Sequence, residues 1–280
     1  MKIKNAAALS VISAITLCGA LAIYAAKKMI TVKGSDTMVI LAQRWAEKYM
    51  TNDSTVTVQV TGGGSGVGIS ALINGTTDIC NASRPMKKSE QDKLKQRYHT
   101  TGFEIPVARD GITLYANESN QVSELSLDQI KAIYLGEIKN WKDVGGADAK
   151  IILYGRENSS GTFEYFRDDV LKGADYSPLV QSLPGTAAIV NAVAKDNNGI
   201  GYGGAAYAKG VKRIKVRKDA ASSAYEPTAE TIASGKYPIS RYLYIYTRNK
   251  PAGEIKVYID WILSPEGQSV VSEVGYFPVK

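Results

Sequence analysis

The chain of 280 residues is 44% hydrophobic and 22% charged, so it has enough apolar side chains for one large folded domain or two small ones. Its formal net charge of +7 lies partly near the N-terminus, at Lys2, Lys4, Lys27 and Lys28. Because the remainder has no dense Lys/Arg stripe interleaved with aromatic residues, the composition argues against a nucleic-acid-binding protein, and the basic run 212–218 is interpreted as a solvated strand or loop.

Residues 1–26 have the pattern of an export signal. A basic start precedes a charge-free, mostly apolar run over 6–26. We interpret this run as a cleaved signal that sends the protein to the periplasm or to the outer face of the cell membrane. Two alternatives stay open. A run of about 21 residues can also span a bilayer as an uncleaved anchor, and Cys18 offers a site for lipidation, although Leu17 before it is a poor match.

Beyond the leader, one pattern occurs three times: a short β-like run, a loop of small and polar residues, and a run with helical spacing of apolar residues. The strands are predicted at 30–32, 56–60 and 151–154, and the loops at 34–37, 62–66 and 155–162. A helix follows each loop, and the second helix is expected to end at Asn74-Gly75, a C-cap signal.

Such repetition predicts an α/β architecture in which helix N-termini face a common end of a sheet, with ligands at the carboxyl ends of the strands. No long Pro/Gly/Ser linker interrupts the chain. Two lobes must therefore be joined by short crossings, for which 104–109 and 238–246 are the candidates.

The cysteine count excludes an internal disulfide in a mature chain, because Cys18 and Cys80 are the only cysteines and the first lies in the leader. Stability must then come from the core. Cys80 lies among apolar and small residues and is expected to be a buried packing residue rather than a reactive thiol.

The three loops have the composition of an oxyanion site. Helix N-termini present unpaired N–H groups and the positive end of the helix dipole. The loops add hydroxyl donors, and glycines that let the backbone approach a ligand. These candidates are Ser35, Thr37, Ser65, Ser160 and Thr162 for hydroxyls and Gly64, Gly66 and Gly161 for close approach. For any single loop, N-capping alone is the alternative explanation.

Arg156 and Asp36 are less easily explained by capping. A guanidinium shortly before Ser160 can reach the same point as that helix N-terminus and grip two oxygens of an anion. The alternative is a surface arginine paired with Glu157. A carboxylate such as Asp36 repels an anion unless it accepts a proton from that anion, and the alternative is an ordinary N-cap aspartate.

Enzyme motifs are weaker. The run 63–70 has the spacing of a P-loop, but Ile69 stands where the essential lysine belongs, which excludes ordinary Walker-type nucleotide chemistry. His99 is the single histidine of the chain and lies in a polar run, so it is interpreted as a surface residue rather than the base of a Ser-His-Asp hydrolase. No Cys/His or carboxylate spacing suggests a metal site, and no cofactor is expected.

Taken together, the leader and the loops 34–37, 62–66 and 155–162 resemble the phosphate-binding protein of phosphate ABC importers. The runs 134–141 (Tyr-Leu-Gly-Glu-Ile-Lys-Asn-Trp) and 198–202 (Asn-Gly-Ile-Gly-Tyr) also look like motifs of that family. The resemblance therefore covers nearly all of the chain after the leader, through motifs that are individually weak and jointly specific.

The resemblance implies a two-lobed periplasmic-binding-protein fold of type II, each lobe a β-sheet flanked by helices, with phosphate in the cleft. Lobe 1 would comprise 27–108 and 241–280, and lobe 2 would comprise 109–240, after a signal or anchor at 1–26. The partners would be inorganic phosphate and the membrane permease of an ABC importer, and the protein would be a monomer and not an enzyme. A binding protein for another oxyanion, such as sulfate or molybdate, and a phosphatase-like enzyme are the alternatives.

By motif, the resemblance implies that the phosphate-binding residues are Ser35, Asp36, Thr37, Ser65, Gly66, Arg156, Ser160, Gly161 and Thr162. One departure matters, because many members have a carboxylate at the end of the strand 78–82, where this chain has Ser83 and then Arg84. The proton-accepting role is therefore assigned to Asp36, with Asp78 as the next candidate. Arg84 is interpreted either as a cleft residue or as a solvated arginine.

Overall fold

The computed structural model of the protein describes residues 28–279, and the export signal or anchor expected at 1–26 lies outside them. The strands are β1 Lys28–Gly34, β2 Val56–Thr61, β3 Ile79–Ala82, β4 Phe103–Ala116, β5 Glu124–Ser126, β6 Ile152–Arg156, β7 Gln181–Leu183, β8 Gly199–Gly204, β9 Lys212–Arg217 and β10 Ser240–Thr247. The α-helices are α1 Val39–Asn52, α2 Ser65–Asn74, α3 Lys88–Tyr98, α4 Leu127–Leu135, α5 Gly161–Tyr165, α6 Thr186–Lys195, α7 Ala229–Ala233, α8 Gly253–Ile262 and α9 Pro265–Val274. Short helical turns occupy Asp36–Met38, Trp141–Val144, Phe166–Val170 and Ala205–Tyr207. In the span 28–279, no helix combines the length and the apolar character needed to cross a bilayer.

The strands join in a mixed sheet with the order β2-β1-β3-β10-β4-β8-β6-β7, to which β9 and β5 are added beside β4. On one side, β1 pairs in parallel with β2 and β3, and β10 runs antiparallel to β3. On the other side, β6 pairs in parallel with β7 and β8, and β8 runs antiparallel to β4. Helices pack against both halves of the sheet: α1 contacts β2 and α2 contacts β3 in the first half, and α6 contacts β8 in the second.

Each half of this sheet has its own hydrophobic core. The first core draws buried side chains from 30–79, 105–108 and 243–276, so it combines both ends of the described chain. The second core draws its buried side chains from 112–239. A separate main core in each sheet half, with a smaller buried cluster beside each and helices flanking both, defines a two-lobed α/β fold, and the predicted fold class is confirmed.

The strands β4 and β10 connect the two halves. They pair antiparallel over 103–111 and 240–247, and the remainder of β4 pairs with β8 and β9 in the second half. Most of both candidate crossings, 104–109 and 238–246, lies within these two strands. Any motion of one half against the other must therefore bend this pair.

Local sequence signals predicted most elements correctly. In β2 the alternate residues Val56 and Val58 are buried, and α1 buries one face on which Trp45 is almost completely covered. The helix α2 ends at Gly75, whose φ of 78° places it in the left-handed region that glycine tolerates. The third predicted helix differs, because α5 is short and continues as a π-helical turn over Phe166–Val170.

Candidate functional site

The three polar loops meet at one point between the two halves. The N–H of Gly64 donates to the carbonyl oxygen of Gly34 at 3.0 Å, which joins the first two loops. The N–H of Gly66 donates to the carbonyl oxygen of Ser159 at 2.9 Å, which joins the second loop to the third. Since the third loop follows β6 in the other sheet half, these contacts hold the two halves closed against each other.

A cluster of buried hydroxyl groups lies at this meeting point. The Oγ1 atoms of Thr37 and Thr162 are 2.9 Å apart, and the Oγ atoms of Ser65 and Ser83 are 3.2 Å apart. Each of the hydroxyl residues is at most 2% exposed: Ser35, Thr37, Ser65, Ser83, Ser160 and Thr162. Hydroxyl groups can donate to an oxyanion and accept from one another, so the cluster has the chemistry that such a ligand requires.

Two glycines make the close approach of the loops possible. A Cβ atom on Gly161 would lie 2.4 Å from Oγ of Ser65, and a Cβ atom on Gly64 would lie 2.4 Å from the carbonyl oxygen of Ser159. Gly64 also has a φ of 93°, which favours glycine. Larger residues at either position would push the two halves apart.

Arg156, at the end of β6, lies inside the site, with only 1% of its side chain exposed. Its Nη2 donates to Oδ2 of Asp36 and to Oε1 of Glu157, both at 2.8 Å. Its Nη1 donates to Oγ1 of Thr186 at 2.8 Å, and its Nε donates to Oε2 of Glu157 at 3.1 Å. Among residues 28–279, these bonds engage four of the five N–H groups of the guanidinium, so one N–H of Nη1 is left to donate to a ligand.

The alternative interpretation of Arg156 was a surface arginine paired with Glu157. The pair with Glu157 is confirmed, but Arg156 is buried rather than at the surface. Burial alone would raise the pKa of Glu157. The hydrogen bond and the charge of Arg156 outweigh burial and hold that pKa below its ordinary value. Glu157 is therefore a charged partner that keeps the guanidinium in place.

Asp36 links the halves rather than capping its own helix. Its Oδ1 accepts from the N–H of Gly63 at 2.8 Å, and its Oδ2 accepts from Arg156. The hydroxyl of Tyr207, from the other half, donates to the carbonyl oxygen of Asp36 at 2.7 Å. Asp78, the next candidate for a proton acceptor, instead has Oδ2 engaged by the N–H and hydroxyl of Thr31 within the first half.

The serine candidates divide into two kinds. Oγ of Ser160 accepts from the N–H groups of Thr162 and Phe163, so this serine caps α5 in the present arrangement. Ser35 precedes a helical turn but makes no side-chain cap hydrogen bond, and Ser65 is the first residue of α2 rather than its cap. Capping therefore explains Ser160 and does not explain Ser35 or Ser65.

Arg84 belongs to an ion-pair cluster at the edge of the site. It donates to both carboxylate oxygens of Glu90 at 2.8 Å, within the first half. Its Nε lies 2.8 Å from Oε2 of Glu164 in the second half, and Nζ of Lys87 lies 2.6 Å from the same oxygen. Arg84 is only 5% exposed, so the interpretation as a solvated arginine is wrong. A cavity of about 500 Å³, lined in part by Lys87 and Arg156, opens beside this cluster.

Asp110 and Arg241 are the site residues that sequence reasoning missed. They lie opposite each other on β4 and β10, and Nη2 of Arg241 donates to Oδ2 of Asp110 at 2.9 Å and to Oγ1 of Thr162 at 2.8 Å. Burial raises the pKa of Asp110, and the charge of Arg241 opposes that shift. The available signal was a charged residue in each of two β-like runs, Asp110 before the mostly apolar stretch that continues to Ala116 and Arg241 at the start of the tyrosine-rich run.

Other residues singled out from the sequence have structural roles. The indole Nε1 of Trp141 donates to the carbonyl oxygen of Asn198 at 3.0 Å, so the two remaining motifs contact each other in the second half. Cys80 is fully buried, as predicted, and His99 is exposed at the C-terminal cap of α3. Over residues 28–279, His, Cys, Asp and Glu side chains form no group that could hold a metal ion.

Two α/β lobes connected by a pair of crossing strands, with a buried hydroxyl and guanidinium cluster between them, define the class of two-lobed solute-binding proteins. Comparison with known proteins gives the family. A model described as the PBP superfamily domain matches residues 22–266. The phosphate-binding protein PstS of Pseudomonas aeruginosa is 33% identical over 263 residues, which is 88% of this chain and 81% of that protein.

Solved structures agree with this assignment. A substrate-binding protein of a phosphate ABC transporter from Clostridium perfringens, with bound phosphate, superposes with a TM-score of 0.82 at 31% identity, over 90% of this chain and 100% of that one. An ABC-type phosphate transport receptor from Vibrio cholerae gives a TM-score of 0.71 at 31% identity, over 89% and 99% of the two chains. The chain belongs to the PstS family of the PBP superfamily.

Proposed function

We propose that this protein captures inorganic phosphate between its lobes and presents it to the membrane permease of an ABC importer, on the outer side of the cell membrane. The contact between Asp36 and Arg156 carries the proposal, because it joins the two halves and sets a proton acceptor beside the guanidinium of the site. The names of the relatives, and the phosphate in the Clostridium perfringens structure, support the choice of ligand.

The balance of charge around the site favours an oxyanion that carries a proton. Two guanidinium groups, those of Arg156 and Arg241, face three carboxylates, those of Asp36, Asp110 and Glu157. A fully deprotonated anion such as sulfate would add negative charge and no donor. Phosphate near neutral pH keeps at least one proton, and that P–O–H group can donate a hydrogen bond to a carboxylate.

Binding would proceed by closure of lobe 1, comprising 27–108 and 241–280, on lobe 2, comprising 109–240. The hydroxyls of Thr37 and Thr162, which contact each other across the cleft, would donate to oxygens of the anion. The remaining ligands would be those predicted from the sequence: Ser35, Asp36, Ser65, Gly66, Arg156, Ser160 and Gly161. The permease would recognise the closed shape, and no bond would be made or broken, so a monomer acting as a carrier suffices.

Isothermal titration calorimetry with phosphate and sulfate tests the proposal. We expect saturable phosphate binding that a large excess of sulfate does not prevent, together with a smaller radius of gyration in X-ray scattering when phosphate is added. Incubation with a phosphomonoester should release no phosphate. Tighter binding of sulfate than of phosphate, or scattering curves that do not change with ligand, would refute the corresponding part of the proposal.

A further inference from the structure

The ion pair of Asp110 and Arg241 lies at the floor of the site, where β4 and β10 cross between the halves. The two side chains are 1% and 4% exposed, and Oδ2 of Asp110 accepts from both Nε and Nη2 of Arg241, at 3.2 and 2.9 Å. Burying such a pair adds little net stability, because desolvation offsets the attraction between the charges. Its role is therefore better judged from the other contacts of the guanidinium.

Those other contacts reach both halves of the protein. Nη1 of Arg241 donates to the carbonyl oxygen of Ser83 at 2.8 Å, at the end of β3, and lies 3.5 Å from the carbonyl oxygen of Gly161. Nη2 donates to Oγ1 of Thr162 at 2.8 Å, at the start of α5. One rigid guanidinium plane therefore sets the distance between the end of β3 and the start of α5.

The contact with Thr162 also decides the direction of its hydroxyl group. A guanidinium has donors and no acceptor, so Oγ1 of Thr162 must accept from Arg241. The hydroxyl proton of Thr162 cannot point to Arg241, so it is available to donate into the cleft, where Oγ1 of Thr37 lies 2.9 Å away and either hydroxyl can donate to the other. An oxyanion at this position would meet a donor instead of a lone pair.

We propose that Arg241, anchored by Asp110, is a positioning residue that turns Thr162 into a hydrogen-bond donor for the oxyanion and fixes the spacing of the two loops, without touching the anion itself. The inference rests on the proposed function. The side-chain hydrogen bonds of Arg241 run to Asp110, Ser83, Gly161 and Thr162 and engage each of its N–H groups, while the guanidinium lies over the ring of Tyr165 at 5.3 Å from its centroid. Its effect on the ligand must therefore pass through the residues that it holds.

A double-mutant cycle tests this route. Arg241→Lys keeps the positive charge, but an ammonium group cannot reach Asp110, Ser83 and Thr162 together. We expect the phosphate Kd, measured by calorimetry, to rise about 10- to 100-fold. Thr162→Val removes the hydroxyl at nearly constant volume and should also weaken binding. In the Thr162→Val background, adding Arg241→Lys should raise the phosphate Kd only a few-fold further. This rise is about an order of magnitude smaller than the one that Arg241→Lys causes in the unmodified protein.

An unchanged Kd in Arg241→Lys, or an equal loss in both backgrounds, would overturn the inference while the proposed function stands. Failure of the unmodified protein to bind phosphate would instead overturn the proposed function and this inference with it. Sulfate exclusion should persist in Arg241→Lys, because Asp36 is unaltered.

If Arg241→Lys does not fold, the paired replacement Asp110→Val with Arg241→Met removes both buried charges together, a change that proteins often tolerate. Circular dichroism and the midpoint of thermal unfolding check its fold. We expect the phosphate Kd of this double variant to rise by the same factor of about 10 to 100. A Kd close to that of the unmodified protein would contradict the positioning role.

Discussion

Replacing Asp36 by asparagine is expected to let sulfate compete for the site. In the structure, Oδ1 of Asp36 accepts from the N–H of Gly63 and Oδ2 accepts from Arg156, each at 2.8 Å. An amide has one acceptor oxygen, so one of these two donors must lose its partner in Asp36→Asn. The variant also removes the negative charge that a fully deprotonated anion would face.

The size of the effect follows from these contacts. The lost charge-assisted hydrogen bond costs about 1.5–3 kcal/mol, and phosphate affinity should therefore fall about 10- to 100-fold. A site that uses a donor of its ligand can reject an analogue without that donor by about 10⁴ to 10⁵. We expect the preference for phosphate over sulfate to fall by at least about 100-fold in the variant.

Competition calorimetry, with phosphate titrated into protein that holds increasing sulfate, measures the change. Glu157→Gln is the matched control, because it removes the other carboxylate of Arg156 and leaves Asp36 in place. This control should weaken phosphate binding and still exclude sulfate. If Asp36→Asn excludes sulfate as fully as the unmodified protein does, or if Glu157→Gln admits it equally well, Asp36 is not the proton acceptor.

Three further outcomes are expected. Arg156→Ala should weaken phosphate binding by about 2–5 kcal/mol in calorimetry, while circular dichroism shows the secondary structure of the unmodified protein. Near-native affinity would exclude Arg156 as a ligand. Glu164→Gln removes the carboxylate that pairs with Arg84 across the cleft, so phosphate release should become about three- to thirtyfold faster in stopped-flow measurements. Asp92→Asn breaks the exposed pair with Lys88 and should leave the release rate unchanged. The pKa of Glu157 is held below its ordinary value of 4.5, so the ionised carboxylate stabilises the fold above that pH, and this stabilisation is lost as the pH falls through the lower folded pKa. Glu157→Gln should therefore reduce the fall of the free energy of unfolding at acid pH. An unchanged dependence of that free energy on pH would contradict this.

Local physical chemistry explains why much of the fold could be predicted. The alternation in β2, the helical spacing in α1 and the glycine after α2 act within a few residues of the chain, and the structure has each element at its expected place. The loops were recognisable because the same small and hydroxyl residues occur three times between a strand and a helix, although N-capping alone can explain any single loop.

What the sequence by itself determined about this protein is therefore the set of elements and the kinds of residue at the site. Only the tertiary structure decided which of them meet. Asp36 and Arg156 are 120 positions apart, and Arg241 is 131 positions from Asp110, so no local pattern records either pair. Antiparallel pairing of β4 with β10 sets Arg241 opposite Asp110, and the same two strands join the halves whose closure brings Asp36 to Arg156. Both arrangements are properties of the folded chain.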